Sequence, residues 1–130
     1  MTAIKRLMQL DFQLLGTTTP PKEISTATGI SPDVELEQGE RNRELNLPRQ
    51  NVWSIKSKVK SEVLAEHWED LERSLKPSIV AIKDAAQTGR AVFTVVVTGE
   101  GRIPSIQIPS GMSMFAGLVN AVIDIDHLQY

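Results

Sequence analysis

Several short segments of this sequence alternate apolar with polar residues, and this pattern constrains the fold more than any other feature. From Ile4 to Leu14 the even positions are mostly apolar, whereas the odd positions are mostly charged or carry amides. Such a period of two is typical of a strand with one buried face, because successive side chains of a strand point to opposite faces. Residues 51–59 and 122–126 repeat the pattern. The sequence therefore predicts a sheet of short strands.

Three further segments are predicted to be strands for other reasons. The stretch AVFTVVV, residues 91–97, is the most apolar and most β-branched, which is typical of a central strand. The following TGEGR predicts a hairpin loop into an edge strand, IPSIQI at 103–108, since Pro104 cannot donate a ladder hydrogen bond. A short strand is also predicted near Val34 to Gln38.

Helical periodicity follows the predicted strand at residues 51–59. Apolar residues recur there at steps of four, three and four, which predicts a long amphipathic helix capped by Ser61. The residues of this stripe are Leu64, Trp68, Leu71 and Leu75. Because a proline inside a helix loses one backbone bond and clashes with the preceding turn, Pro77 predicts a kink or break near Lys76 and a second segment that ends by Gly89.

Two shorter helices are predicted from their ends. Thr19 before two prolines is typical of a cap and a first helical turn, and Gly29 can adopt the positive φ that ends a helix. Ser110 is predicted to cap the last helix. Its inward side chains are predicted to be those of Phe115, Leu118 and Val119.

The order of these elements predicts an α+β fold. We expect a mostly antiparallel or mixed sheet of five to six strands, with a long helix and two short helices packed on one face. A chain of 130 residues is long enough to bury one continuous core, so residues 1–130 are expected to form a single domain.

Composition narrows the classes of function. With 14 basic and 16 acidic residues interspersed, the formal net charge is -2, which disfavours nucleic-acid binding. The absence of cysteine excludes disulfides, thiolate nucleophiles and cysteine metal sites. No apolar stretch resembles a signal peptide or is long enough to span a bilayer, so we expect a cytoplasmic protein that does not associate with membranes.

The most specific candidate site is the acidic pair in VIDIDH, residues 122–127. On a strand Asp124 and Asp126 point to the same face and could bind a hard divalent cation, whereas His127 lies too far round the strand to join them. Exposed aspartates also prevent edge-to-edge pairing of sheets, and this protective interpretation is the favoured one.

Evidence for a catalytic centre is thin. His67 is a lone histidine beside the apolar stripe of the long helix, and a structural or exposed role is favoured over that of a general base. The sequence has no Gly-x-Ser-x-Gly elbow and no phosphate-binding loop, and its TGEGR lacks the third glycine of a dinucleotide loop. We therefore predict neither catalytic residues nor a cofactor.

Residues 40–49 are the most polar segment without periodicity, and they carry three arginines that could contact an acidic protein partner. These are Arg41, Arg43 and Arg49. Such a charge run is more often a solvated loop, so partner binding is the less favoured interpretation.

Six short motifs appear in an order and spacing that resembles the family named domain of unknown function 4279. In chain order they are LLG, PPKEISTATGISP, EQG, NVWSIKS, LAEHWEDLERSLKP and VIDIDH, and they extend from about Phe12 to His127. The resemblance implies a small, mostly bacterial protein without an assigned activity, so it assigns no catalytic residue. Some members accompany small immunity-like proteins.

Two hypotheses follow. The first is a non-catalytic protein-interaction module, immunity-like in one version, with a protein partner still to be identified. The alternative is a divalent-metal-dependent small enzyme or ligand binder that uses Asp124 and Asp126, with Glu40 or His67 brought close by folding. An open sheet edge would also allow a homodimer.

Overall fold

A computed structural model gives the structure of the protein for residues 7–39, 49–99 and 105–129. Five strands form one sheet in the order β2-β3-β1-β4-β5. The strands are β1 Leu7–Leu15, β2 Val34–Leu36, β3 Val52–Lys56, β4 Arg90–Gly99 and β5 Ala121–Gln129. The helices are α1 Pro21–Thr28, α2 Leu64–Leu75, α3 Ile79–Ala86 and α4 Ser110–Leu118. This confirms the predicted α+β class.

The sheet is mixed, as predicted. β1 lies at its centre and pairs antiparallel with β3 on one side and β4 on the other. β2 pairs antiparallel with β3, whereas β5 pairs parallel with β4. β5 therefore forms one edge of the sheet and the three-residue β2 forms the other.

Alternation along β1 determines which face of the sheet is buried. Leu10, Phe12 and Leu14 are fully buried, whereas the intervening positions are only partly covered. Pairing sets Phe12 opposite both Ile55 and Phe93, and the rings of Phe12 and Phe93 lie 4.8 Å apart. Helices α1 to α4 all contribute buried side chains to this one core, so none of these four helices covers the opposite face of the sheet.

The long helix has the predicted stripe and the predicted break. Its four stripe residues are buried, and α2 passes into α3 through a 3₁₀ turn at Lys76–Ser78 that contains Pro77. The start differs from the prediction: the cap position is Val63, and the Ser61 hydroxyl instead accepts a hydrogen bond from the Val63 N–H at 2.9 Å. Among the helices in the described ranges, none is both long and apolar enough to cross a bilayer.

The short helices also lack the predicted hydroxyl caps. Pro20 and Pro109 occupy the cap positions, with no side-chain cap hydrogen bond. Gly29 adopts φ 70°, as predicted for the end of α1. In α4 the prediction for Leu118 was wrong, since it is 50% exposed. The buried residues of α4 and the turn after it recur at steps of three, one and three, and they are Met112, Phe115, Ala116 and Val119.

The predicted strand at 103–108 is wrong wherever the structure describes it. Residues 105–109 form no strand, and residues 100–104, including Pro104, lie outside the described residues. The chain instead passes through α4 and returns as β5, parallel to β4. Parallel neighbours require such a crossover, whereas a hairpin would have made them antiparallel. This topology places β5, with its acidic pair, at the edge.

Candidate functional site

The outer edge of β5 is the candidate site. β5 is nine residues long, and its inner edge pairs with β4 along its whole length, from Ala91 opposite Ala121 to Gly99 opposite Gln129. No strand in the part of the chain that the structure describes pairs with the outer edge. An unpaired strand edge presents backbone N–H and C=O groups that can pair with another chain.

The acidic pair lies on the face of the sheet that helices α1 to α4 do not cover. Asp124 and Asp126 are opposite Thr94 and Val96 of β4, and both aspartates are exposed. They share this face with Val122 and Leu128, which are 57% and 47% exposed. The prediction that the pair points outward is confirmed.

The core covers the other face of β5 only in part. Ile123 is half-buried against the core, whereas Ile125 is 40% exposed and His127 is exposed. His127 is opposite the core residue Val97, so it lies on the face opposite the acidic pair, as predicted. The C-terminal half of β5 thus presents both faces and one edge to solvent.

A metal site at the acidic pair would need more ligands than the pair supplies. Calcium takes six to eight oxygen ligands, and magnesium takes six in octahedral geometry. Among residues 7–39, 49–99 and 105–129, no group of three or more His, Cys, Asp or Glu side chains could hold a metal ion. Glu40 lies outside the described residues, and His67 is buried elsewhere. Metal binding by Asp124 and Asp126 stays a prediction.

Another carboxylate of the same sheet face, Asp11, does not join the pair. The ladder places it opposite Lys56 on one side and Thr94 on the other, so β4 separates it from β5. Burial raises the pKa of Asp11 although Lys56 lowers it, and one buried carboxylate oxygen has no hydrogen-bond partner. Asp11 is thus a poorly solvated group of the central strand rather than part of the edge.

A second polar cluster is buried where β3 ends and α2 begins, and we call it the Ser57–His67–Ser61 network. The Ser57 hydroxyl lies 2.6 Å from His67 Nδ1, and His67 Nε2 lies 2.8 Å from the Ser61 carbonyl oxygen. A carbonyl only accepts hydrogen bonds, so Nε2 carries a proton, and in the neutral imidazole Nδ1 then accepts from Ser57. Sequence patterns did not reveal this pairing, because no motif relates a strand end to a helix ten residues later.

The network resembles a Ser–His dyad, but its surroundings favour a structural role. Ser57 is 4% exposed and His67 is fully buried. The Ser57 oxygen also accepts a hydrogen bond from the Leu10 N–H at 3.2 Å, and the Ser57 N–H donates to the Leu10 carbonyl at 2.8 Å. Each polar group therefore has a partner within the chain, and together they tie β1 to the start of α2.

Beside the network lies an open groove of about 910 Å³. Its lining includes Leu7, Gln9, Val96, Thr98 and the segment 57–62. The two serines of this segment already form hydrogen bonds within the chain. Neither serine hydroxyl is therefore an unpartnered nucleophile at the groove.

Of the three arginines the structure describes Arg49, and it does not lie with the acidic pair. Arg41 and Arg43 lie outside the described residues. Arg49 is exposed and precedes β3, which β1 and β4 separate from β5. Partner binding through the arginines stays a prediction.

Comparison with known proteins identifies the family. The family model described as "Domain of unknown function (DUF4279)" matches residues 5–130, nearly the whole chain. The chain therefore belongs to this family, which confirms the resemblance carried by the sequence motifs. No curated protein and no solved structure matches the chain.

Proposed function

We propose that this member of the family is a non-catalytic protein-interaction module that binds its partner through the outer edge of β5. The observation that carries the proposal is a nine-residue edge strand with no strand on its outer side among the described residues. A partner segment would add a sixth strand, held by main-chain hydrogen bonds and by contacts to alternate side chains.

The two edges of the sheet differ in a way that favours β5 as the binding edge. β2 has three residues, all partly buried, and very short edge strands are one device that blocks unwanted pairing. β5 is three times as long, with exposed apolar side chains at both ends. A long edge offers a partner more backbone groups and more side-chain contacts.

The setting that we propose is the bacterial cytoplasm. An immunity-like protein acts by binding one specific protein, and an edge that accepts a partner strand would suit that role. The family resemblance is the source of this version of the proposal, and the open edge is compatible with it.

The proposal can be tested by isolating the partner and locating its footprint. The partner is first isolated with the purified protein from cells of the source organism, and amide hydrogen exchange is then measured with and without it. We expect slower exchange in residues 121–129, because outward N–H groups of β5 would gain hydrogen bonds. Protection that leaves 121–129 unchanged would contradict the proposal, as would the absence of any stoichiometric partner.

Matched variants sharpen this test. Val122→Lys with Leu128→Lys changes two exposed side chains of β5, and we expect it to weaken partner binding about ten-fold. Val80→Lys is the control: it changes a side chain of α3, outside β5, that is 72% exposed. It should leave the affinity for the partner unchanged. A saturable rise in Tm with magnesium, calcium, manganese or zinc, lost in Asp124→Asn with Asp126→Asn, would favour the metal-dependent alternative instead.

A further inference from the structure

We infer that the outer edge of β5 accepts an extended segment with two basic side chains at positions i and i+2, and disfavours a second copy of β5. The inference rests on the proposed function and adds the chemistry of the partner to it. It follows from the register of the sheet and from two carboxylates that form no ion pair with any described residue.

A strand added beside β5 would contact the side chains of β5. Residues directly opposite one another on neighbouring strands have Cβ atoms about 5 Å apart and lie on the same face. A strand beside β5 would therefore place two of its alternate side chains against Asp124 and Asp126. Lysine or arginine at those positions would be attracted, whereas glutamate or aspartate would be repelled.

No residue that the structure describes forms an ion pair with Asp124 or Asp126. The β4 residues opposite the pair are the uncharged Thr94 and Val96. The ion pair that joins two described residues is formed by Lys58 and Asp33, on the other half of the sheet. The two carboxylates are thus available to an incoming cationic side chain.

Like-charge repulsion disfavours antiparallel self-pairing of β5. In a two-fold symmetric antiparallel pair, if residue i lies opposite j, then j lies opposite i. The register that pairs all of β5 is centred on Ile125. In this register Asp124 of each copy lies opposite Asp126 of the other copy. Four carboxylates would then crowd one face. Shifting the centre by one residue sets Asp124 or Asp126 opposite its own copy, so like charges still face one another.

The neighbours of the pair extend the recognition pattern. Val122 and Leu128 flank the aspartates on the same face, and Ile125 is exposed on the other face. A complementary strand would carry apolar side chains opposite these three positions. The heptapeptide Val-Thr-Lys-Val-Lys-Thr-Val has this pattern, and because it is palindromic it matches β5 in parallel or antiparallel orientation.

The test uses this peptide, fluorescently labelled, and measures its binding by anisotropy up to millimolar protein. Two controls keep the length: Val-Thr-Glu-Val-Glu-Thr-Val reverses the charge, and Lys-Thr-Val-Val-Val-Thr-Lys keeps the composition but moves the lysines to the ends. We expect the first peptide to bind about ten-fold more tightly than either control, with an affinity that falls as salt is added.

Charge-reversed protein provides the decisive comparison. Asp124→Lys with Asp126→Lys should exchange the preference, so that the glutamate peptide binds more tightly than the lysine peptide. If this variant does not fold, Asp124→Asn with Asp126→Asn should remove the preference. Wild-type protein is expected to sediment as a monomer at pH 7.

The outcomes separate this inference from the proposed function. Equal binding of the lysine and glutamate peptides, with protection of residues 121–129, would overturn the charge selection and leave the edge as the binding surface. No binding of any peptide would overturn the inference, while the footprint of the isolated partner would still decide the proposed function. A neutral-pH dimer that protects residues 121–129 would also overturn it.

Discussion

The Ser57–His67–Ser61 network and the acidic pair of β5 are both polar clusters, yet they lie in opposite environments. In the network His67 is fully buried and each ring nitrogen has a partner at 2.6 or 2.8 Å. On β5 the two aspartates are exposed and face uncharged neighbours on β4. Polar residues of this chain therefore stabilise the fold where described residues provide their partners, whereas Asp124 and Asp126, which form no ion pair with a described residue, remain exposed to solvent.

The physical basis of the difference is hydration. A buried donor or acceptor that loses its partner cannot recover the hydrogen bond from water, so the cost of removing the partner is large. An exposed carboxylate is already hydrated, so the fold gains little from it and loses little without it. Substitutions in the two regions should therefore separate clearly in their effect on stability.

The largest effect is expected for His67→Leu. Leucine fills much of the space but leaves the hydroxyl hydrogen of Ser57 without its acceptor and the Ser61 carbonyl without its donor, which should lower the free energy of unfolding by about 2–4 kcal/mol. Urea unfolding followed by circular dichroism measures this difference. A loss below about 1 kcal/mol would mean that the network is not a structural element.

A double-mutant cycle with Ser57→Ala isolates the network from simple loss of packing. If Ser57 and His67 act together, the double variant should lose less stability than the sum of the two single losses, because the second substitution removes a group whose hydrogen bond to the other side chain is already lost. Additive losses would show that the two side chains stabilise the protein independently.

An intermediate effect is expected for Asp33→Asn, because Asp33 is partly exposed but has partners. Its carboxylate accepts the Lys56 N–H at 2.8 Å and pairs with the Lys58 ammonium. Burial raises the pKa of Asp33, but the hydrogen bonds from Lys58 and from the Lys56 N–H, with the attraction of both lysines, outweigh burial and lower it. We expect a loss of about 0.5–1 kcal/mol at pH 7, discounted for solvent screening.

The pH dependence of this loss has a definite sign. A lowered folded-state pKa contributes stability above the unfolded-state pKa, and this contribution is lost as the pH falls through the folded-state pKa, so the loss in Asp33→Asn should shrink below about pH 4. Asp11 is the matched control, since its folded-state pKa is raised. Asp11→Asn should stabilise the protein at neutral pH, and the gain should disappear on acidification. Parallel pH profiles of the two variants would contradict these assignments.

The smallest effect is expected for Asp124→Asn with Asp126→Asn. Both side chains are exposed and on an edge strand, so the free energy of unfolding should change by less than about 0.5 kcal/mol. Urea unfolding at pH 7 and dilute protein checks this. A loss above about 1 kcal/mol would show that the pair has a partner within the chain and would remove the contrast with the buried network.

Local sequence patterns were sufficient to predict much of the fold. Burial of Phe12 and Trp53 follows from alternation along their strands, and the break at Pro77 follows from the geometry of proline in a helix. Alternation along the strand also correctly predicted that Asp124 and Asp126 lie on an outward face. Local pattern failed for the segment at 105–108, where an alternating pattern without a pairing strand remains irregular, and for Leu118, where the helix uses Met112 and Ala116 instead.

The candidate site was only partly predictable. Its residues were visible in VIDIDH, but whether β5 would be central or at the edge depends on which strands pair, and nothing local to 121–129 specifies that. The contact between Ser57 and His67 was equally hidden, because it depends on how α2 packs against the end of β3.

The sequence by itself determined the family, the number and kind of most elements, and the side of each strand that is buried. These properties depend on residue type and on spacings of two to four positions, which act within a single segment. Tertiary structure alone decided that β5 runs parallel to β4 at an open edge, and that Ser57 meets His67 in the interior. Both features bring together residues that are distant in the chain. Which of these residues pair is decided by the apolar surface that the whole fold buries.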